Sequence, residues 1–210
     1  MSNNSYNSIA GKSTERIIAI SDGVFAVALT LLVLEIRIPA QNELHSEQDL
    51  IQLFISLAPK FLVYFLAFMT AGIFWMGHSA QYKNIDDSDR NLSWINLIFL
   101  LSVTLLPFST AFLGDYITFK FSILIYWLNI FLMGILLYIN WLYASKKGFI
   151  AKEKFSLVDT AIRSRIIIAQ TLYFVGFLLC FINNYTSIAF IIVVQANYAF
   201  AFIKEKRKNK

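Results

Sequence analysis

Apolar residues along this chain fall in six long blocks separated by short polar stretches, each block long enough to form a membrane-crossing helix. The blocks run over 17–38, 61–79, 92–113, 119–143, 165–182 and 185–203. Only Asn183-Asn184 separates the last two, a tight turn suited to two antiparallel helices. Ahead of the second block, 46–60 reads as a helical lead-in with Leu50, Ile51, Phe54 and Leu57 on one face. Pro107 is expected to kink the third span, its freed carbonyl being met by Ser109, Thr110 or a neighbouring helix. The pattern predicts an all-α integral membrane protein with six transmembrane helices. It divides into a polar N-terminus over 1–14, one six-span domain over 15–203 and a basic tail over 204–210.

Composition agrees with the pattern. Of 210 residues, 58% are hydrophobic and 15% charged, where a soluble domain carries about a quarter charged residues. The single cysteine, Cys180, lies in an apolar run, so neither a disulfide framework nor a cysteine metal site is available. The first residues, MSNNSYNSIAGK, lack the basic, apolar and small-residue regions of a cleavable signal peptide, so the first block is expected to remain as a span.

The formal charge of +5 raises the question of nucleic acid. The basic residues flank apolar blocks rather than interleave with aromatics, which is the placement that sets membrane orientation. With both termini inside, all 18 basic residues but Arg37, Lys60 and Lys120 fall on the cytoplasmic side. Those three share the outer side with Glu43, Glu47, Asp49 and Asp115. A multi-pass cell-membrane protein with cytoplasmic termini follows, its tail IKEKRKNK drawn to anionic lipid.

Candidate chemistry narrows the class further. Gly11-Lys12-Ser13 lacks the earlier glycine of a phosphate-binding loop, position 6 being Tyr6. His45 and His78 have no zinc spacing, and no Gly-x-Ser-x-Gly elbow is present. The Thr-Val-Gly-Tyr-Gly filter of backbone carbonyls is absent as well. The sequence therefore predicts no enzyme, no metal centre and no cofactor.

Ionisable groups inside a span are costly and mark candidate sites. Asp22 lies about one and a half turns into the first span. At about 100° per residue, Val27, Thr30, Leu31 and Leu34 share a narrow stripe, and Asp22 points roughly 140° away from Val27. If that stripe faces a central axis, Asp22 faces the surrounding bundle, so a packing anchor is favoured over an ion ligand. Trp75 and His78 lie one helical step apart on the second span. Two readings stand for them: an interfacial tryptophan belt, or a hydrogen-bonding pair that meets Ser21 or Asp22.

The segment Arg16-x-x-x-Ile20-Ser21-Asp22-Gly23-Val24-Phe25-Ala26 resembles the Arg-x-x-x-Phe-Ser-Asp motif of the bacterial relatives of transmembrane protein 175, an endolysosomal potassium channel. Thr30-Leu31-Leu32-Val33-Leu34-Glu35-Ile36, Trp75-x-x-His78 and Leu106-Pro107-Phe108-Ser109-Thr110 are similar to the family too. One departure is that Ile20 stands where the motif has phenylalanine, which keeps an apolar packing residue but loses the ring.

The resemblance implies a homotetramer whose first helices line a central pore passing potassium, with modest preference over sodium. It carries over Val27, Leu31 and Leu34 as apolar rings and Thr30 as a polar layer. Arg16, Ser21, Asp22, Trp75 and His78 then form a helix-packing network that sets pore geometry without touching ions. Monovalent cations, membrane lipid and further copies of the chain are the implied partners. A proton-coupled transporter, with Asp22 titrating and His78 as relay, is the competing class; a non-conducting scaffold is the third.

Overall fold

The computed structural model describes residues 11–38 and 46–200, and all regular structure among them is helical. Eight α-helices follow in order: α1 Thr14–Leu34, α2 Glu47–Ser56, α3 Ala58–Tyr82, α4 Arg90–Thr104, α5 Leu106–Asp115, α6 Lys120–Lys147, α7 Lys152–Leu178 and α8 Asn184–Phe200. Five stretches are long and apolar enough to cross a membrane: Thr14–Leu34, Glu47–Tyr82, Arg90–Asp115, Lys120–Lys147 and Phe155–Phe181. Residues 1–10, the end of the last predicted span, the basic tail, Glu43 and His45 lie outside the described residues.

Local chemistry sets the helix ends. Ser13 Oγ accepts from the Arg16 N–H at 3.3 Å and starts α1. Gly11, just before it, has φ of 79° and lies against α4, where a Cβ would come within 2.7 Å of Arg90 Cα. Its carbonyl accepts from Ser88 Oγ at 2.8 Å. The Gly-Lys-Ser sequence is thus a helix start docked on a neighbour. Gly11→Ala is expected to cost roughly 1–3 kcal/mol through strain at positive φ and the clash, read as a lower Tm of the purified protein.

The predicted first span ran to Ile38, but α1 ends at Leu34. Beyond it Glu35 and Arg37 approach one another at 3.9 Å, and charged groups gain by sitting at the membrane interface rather than within it. The lead-in helix opens on a capping box: Ser46 Oγ accepts from Asp49 N–H, and Asp49 Oδ2 accepts from Ser46 N–H. It stops at Leu57, and α3 restarts with Pro59 in its first turn. Of the face predicted there only Leu57 is buried, alongside Leu53, whereas Leu50, Ile51 and Phe54 are exposed.

The third span breaks between α4 and α5 at Leu105, two residues before Pro107. The nearby hydroxyls act differently from expectation. Thr110 Oγ1 donates to the Leu106 carbonyl, while the Val103 carbonyl accepts from Leu105 N–H. Buried Asn129 of α6 bridges the break, its Nδ2 donating to the Ser102 carbonyl at 2.8 Å and its Oδ1 accepting from Ser109 Oγ at 3.0 Å.

The fifth span was expected from Arg165, but α7 begins at Lys152. Its polar early turns still form helix because Phe155, Val158 and Ile162 pack on the cluster around Trp141. Asp159 there accepts from Trp141 Nε1 at 2.9 Å and Arg163 Nε at 2.7 Å. A short 3₁₀ turn, Leu179–Phe181, leads to Asn183, whose Oδ1 accepts from Tyr185 N–H at 2.8 Å and opens α8.

Helix α6 is the central post, buried through Tyr126, Ile130, Met133, Leu137 and Trp141, with α4, α5 and α7 packed around it. Helix α1 lies on the outside of α3, α4 and α5. The α7–α8 pair closes the bundle against α6 and α3. Close approach at two glycines allows this, since a Cβ on Gly134 would strike Gln170 and one on Gly176 would strike Ile191.

Candidate functional site

Helix α1 has two unlike sides. Ile17, Ser21, Phe25, Ala28 and Leu32 are buried against the bundle. On the far side Val27, Leu31 and Leu34 are 57%, 43% and 67% exposed. This is the stripe expected from helix angles, and among the described residues it is left largely open. Ile20, Gly23, Val24, Val27, Ala28 and Leu31 form one wall of an open groove of about 360 Å³, whose other wall is Thr104 and Pro107. The break in the third span therefore borders the stripe directly.

Thr30, also exposed, donates its hydroxyl hydrogen to the Val27 carbonyl at 2.8 Å. A hydroxyl has one hydrogen and two lone pairs. With the hydrogen committed to the helix, the oxygen presents lone pairs outward, the polarity that a cation requires.

Asp22 differs from expectation in its surroundings. It is exposed in the single chain, at the rim of the seam between α1 and α3, rather than enclosed by the bundle. Its Oδ1 accepts from Trp75 Nε1 at 2.8 Å. The indole is the partner because Trp75 is itself 42% exposed along the same rim. Asp22→Asn keeps an acceptor for Trp75 and should leave the size-exclusion profile unchanged, whereas Asp22→Ala should shift it toward dissociated or aggregated protein.

Deeper in, a buried chain of polar side chains joins four helices. Ser21 Oγ donates to the Ile17 carbonyl at 2.7 Å, leaving its oxygen to accept from Asn96 Nδ2 at 3.0 Å. That turns Asn96 Oδ1 toward His78 Nε2, 2.8 Å away, and makes Nε2 the protonated nitrogen. Asn140 Nδ2 reaches the same oxygen at 3.5 Å, and Tyr82 OH donates to Asn140 Oδ1 at 3.2 Å. The His78 ring is sandwiched, with its centroid 5.5 Å from Phe99 and 4.5 Å from Tyr82. No carboxylate, lysine or arginine takes part in this network, which clamps α1, α3, α4 and α6 together.

Trp75 and His78 thus hold different partners, Asp22 and Asn96. A proton relay between Asp22 and His78 would need a contact that the structure does not contain. Arg16 stands apart: it is exposed, and among the described residues its side chain has no hydrogen bond or ion pair.

Sequence reasoning missed Asn96, Asn140 and Asn129, and also a second knot where Thr70 Oγ1 meets Tyr126 OH at 2.8 Å and accepts from Gln195 Nε2 at 2.6 Å. The signal was present, because an amide inside an apolar span needs partners as much as a charge does. Among the described residues no group of three or more histidine, cysteine or acidic side chains is placed to hold a metal ion.

Residues 16–107 match the family described as the endosomal/lysosomal potassium channel TMEM175. A potassium channel of Chamaesiphon minutus is 38% identical over 104 residues, 50% of this chain and 51% of that protein. A potassium channel of Streptomyces collinus is 34% identical over 49% of this chain and 48% of its own length. The human endosomal/lysosomal proton channel TMEM175 is 32% identical over 45% of this chain and 20% of its own. The matched stretch spans about half the length of these bacterial relatives and a fifth of the human protein. Over the whole fold, the crystal structure of a lysosomal potassium-selective channel TMEM175 homologue from Chamaesiphon minutus superposes with a TM-score of 0.78 at 29% identity, covering 91% of this chain and 98% of that one. The matched family and relatives are ion channels, not enzymes.

Proposed function

We propose that this chain, which matches the TMEM175 family over residues 16–107 and superposes on a bacterial TMEM175 homologue, is a potassium-permeable cation channel whose pore forms between copies of α1. One observation carries the pore assignment: the apolar stripe of α1 stands uncovered on the protomer, with a threonine oxygen turned outward in its middle. In a homotetramer with α1 at the axis, Val27, Leu31 and Leu34 each become a ring of four. Such rings gate by dewetting, because ions stall where water does not follow. The Thr30 oxygens replace part of an ion's hydration shell, which gives a modest preference for potassium over sodium. Backbone carbonyls take no part, since α1 remains helical through the stripe.

The remaining assignments follow from this frame. Helix α8, with 17 described residues, is the sixth span, bringing both termini to the cytoplasmic face of the cell membrane as the basic residues favour. Glu35, Glu47 and Asp49, with Glu43 outside the described residues, then surround the outer mouth and raise the local cation concentration. Ser21, Asp22, Trp75 and His78 fix the attitude of α1, with Arg16 at its inner end.

Purified protein in liposomes tests the proposal. Passive potassium flux down its gradient, faster than sodium flux and increased by Leu34→Ala, is the expected result. Saturable flux coupled to a pH gradient would instead establish a transporter, and no flux under any gradient a scaffold.

A further inference from the structure

Helices α3 and α7 each pack on α6 and α8 rather than closely on one another. A half-open crevice remains between them. Small residues keep it open, Gly77 and Ala80 on α3 and Ala169 on α7, with Leu137 of α6 between the two walls. Ile73 and Ile166 extend those walls, and the lining is almost wholly apolar. From Arg165 past Ile166 and Ala169 to Tyr173, the α7 wall is about 12 Å long at 1.5 Å per residue.

One end carries charge. Arg165 lines the crevice and is exposed, its guanidinium held 5.5 Å over the Tyr198 ring of α8. Among the described residues no carboxylate lines the crevice or pairs with Arg165. Arg163, two residues earlier, is by contrast neutralised by Asp159 at 2.7 Å. Helix α7 also keeps away from α1, which packs on α3, α4 and α5. In the proposed assembly the crevice therefore lies away from the axis, on the bilayer side.

We propose that this crevice binds an anionic phospholipid, one acyl chain lying between α3 and α7 and the phosphate resting on Arg165. The topology proposed above makes it a lipid of the cytoplasmic leaflet. An uncharged apolar chain would use the walls and leave Arg165 without an anion; a free phosphate would use Arg165 and leave the walls bare. An anionic amphiphile matches both. Basic residues between membrane helices on the cytoplasmic side recognise such headgroups, and the planar guanidinium fork fits phosphate oxygens.

Native mass spectrometry of the delipidated protein, offered phosphatidylglycerol or phosphatidylcholine with the same oleoyl chains, tests this. Phosphatidylglycerol should bind about fivefold more tightly, since one basic residue facing an anionic headgroup is worth about 1 kcal/mol. Arg165→Gln should abolish that preference and leave phosphatidylcholine binding unchanged. Ala80→Phe, which narrows the crevice, should weaken both lipids. Both positions are exposed, so elution volume should not change in either variant. Glycerol 3-phosphate, which has the charge without the chains, should displace neither lipid. Equal retention of the two lipids by the wild type, a preference kept by Arg165→Gln, or displacement by glycerol 3-phosphate would overturn the proposal. Binding is read whether or not the protein conducts, so this result and the pore assignment fail separately.

Discussion

Replacing Leu31 with asparagine is expected to raise potassium flux through liposomes about tenfold, equivalent to removing roughly 1.4 kcal/mol from the barrier to permeation. The leucine is 43% exposed on the outward side of α1, so the substitution disturbs little packing within the subunit. In the proposed assembly it exchanges apolar branches for groups that hold water, and a wetted constriction no longer stalls ions. Because Thr30 lies one residue away and keeps its outward oxygen, the preference for potassium should fall less than the flux rises. A folded Leu31→Asn/Leu34→Ala double variant with wild-type flux would place the permeation path elsewhere.

Asn96→Leu should have the opposite character, harming the fold without opening the pore. Asn96 is 1% exposed and is the hub through which Ser21, His78 and Asn140 are joined. Leucine fits the space, but His78 Nε2–H and Asn140 Nδ2 then lose their acceptor inside an apolar bundle. Each buried group left unpaired costs about 1–3 kcal/mol, so a loss of roughly 2–5 kcal/mol is expected. The readout is a large drop in Tm and in recovered protein. Arg16→Ala provides the contrast, since an exposed side chain without partners among the described residues should change Tm little.

The two substitutions mark what the sequence makes legible and what it hides. Apolar blocks long enough to span a membrane are visible in any window of the chain, because the bilayer demands them independently of tertiary context. The α1 stripe was legible for a similar reason: helix geometry alone puts Val27, Thr30, Leu31 and Leu34 on one side. Helix ends were harder. A charged turn such as that holding Asp159 and Arg163 looks unfit for a span, yet α7 runs through it because Trp141 on another helix supplies a partner.

The packing network was half legible. A charge in a span draws attention, so Asp22 was found, though its exposure on the rim was not foreseen. Asn96, Asn129 and Asn140 carry no charge, and their worth depends on which helices meet, which no local pattern records. The bend at Pro107 was foreseen, but the carbonyl of Ser102 is met by Asn129, on the following span. That pairing exists only once α6 has packed against the break.

The bare side of α1 has a consequence for inheritance. In the assembly proposed above no subunit contains a conduction path of its own; each supplies one wall of a corridor that exists only when its neighbours supply the others. A cell carrying one altered and one ordinary gene copy would build mixed assemblies, and most of them would include at least one changed wall. Defects on this helix side should therefore be dominant, whereas a defect in the Asn96 clamp, which removes the subunit before it can join, should be recessive.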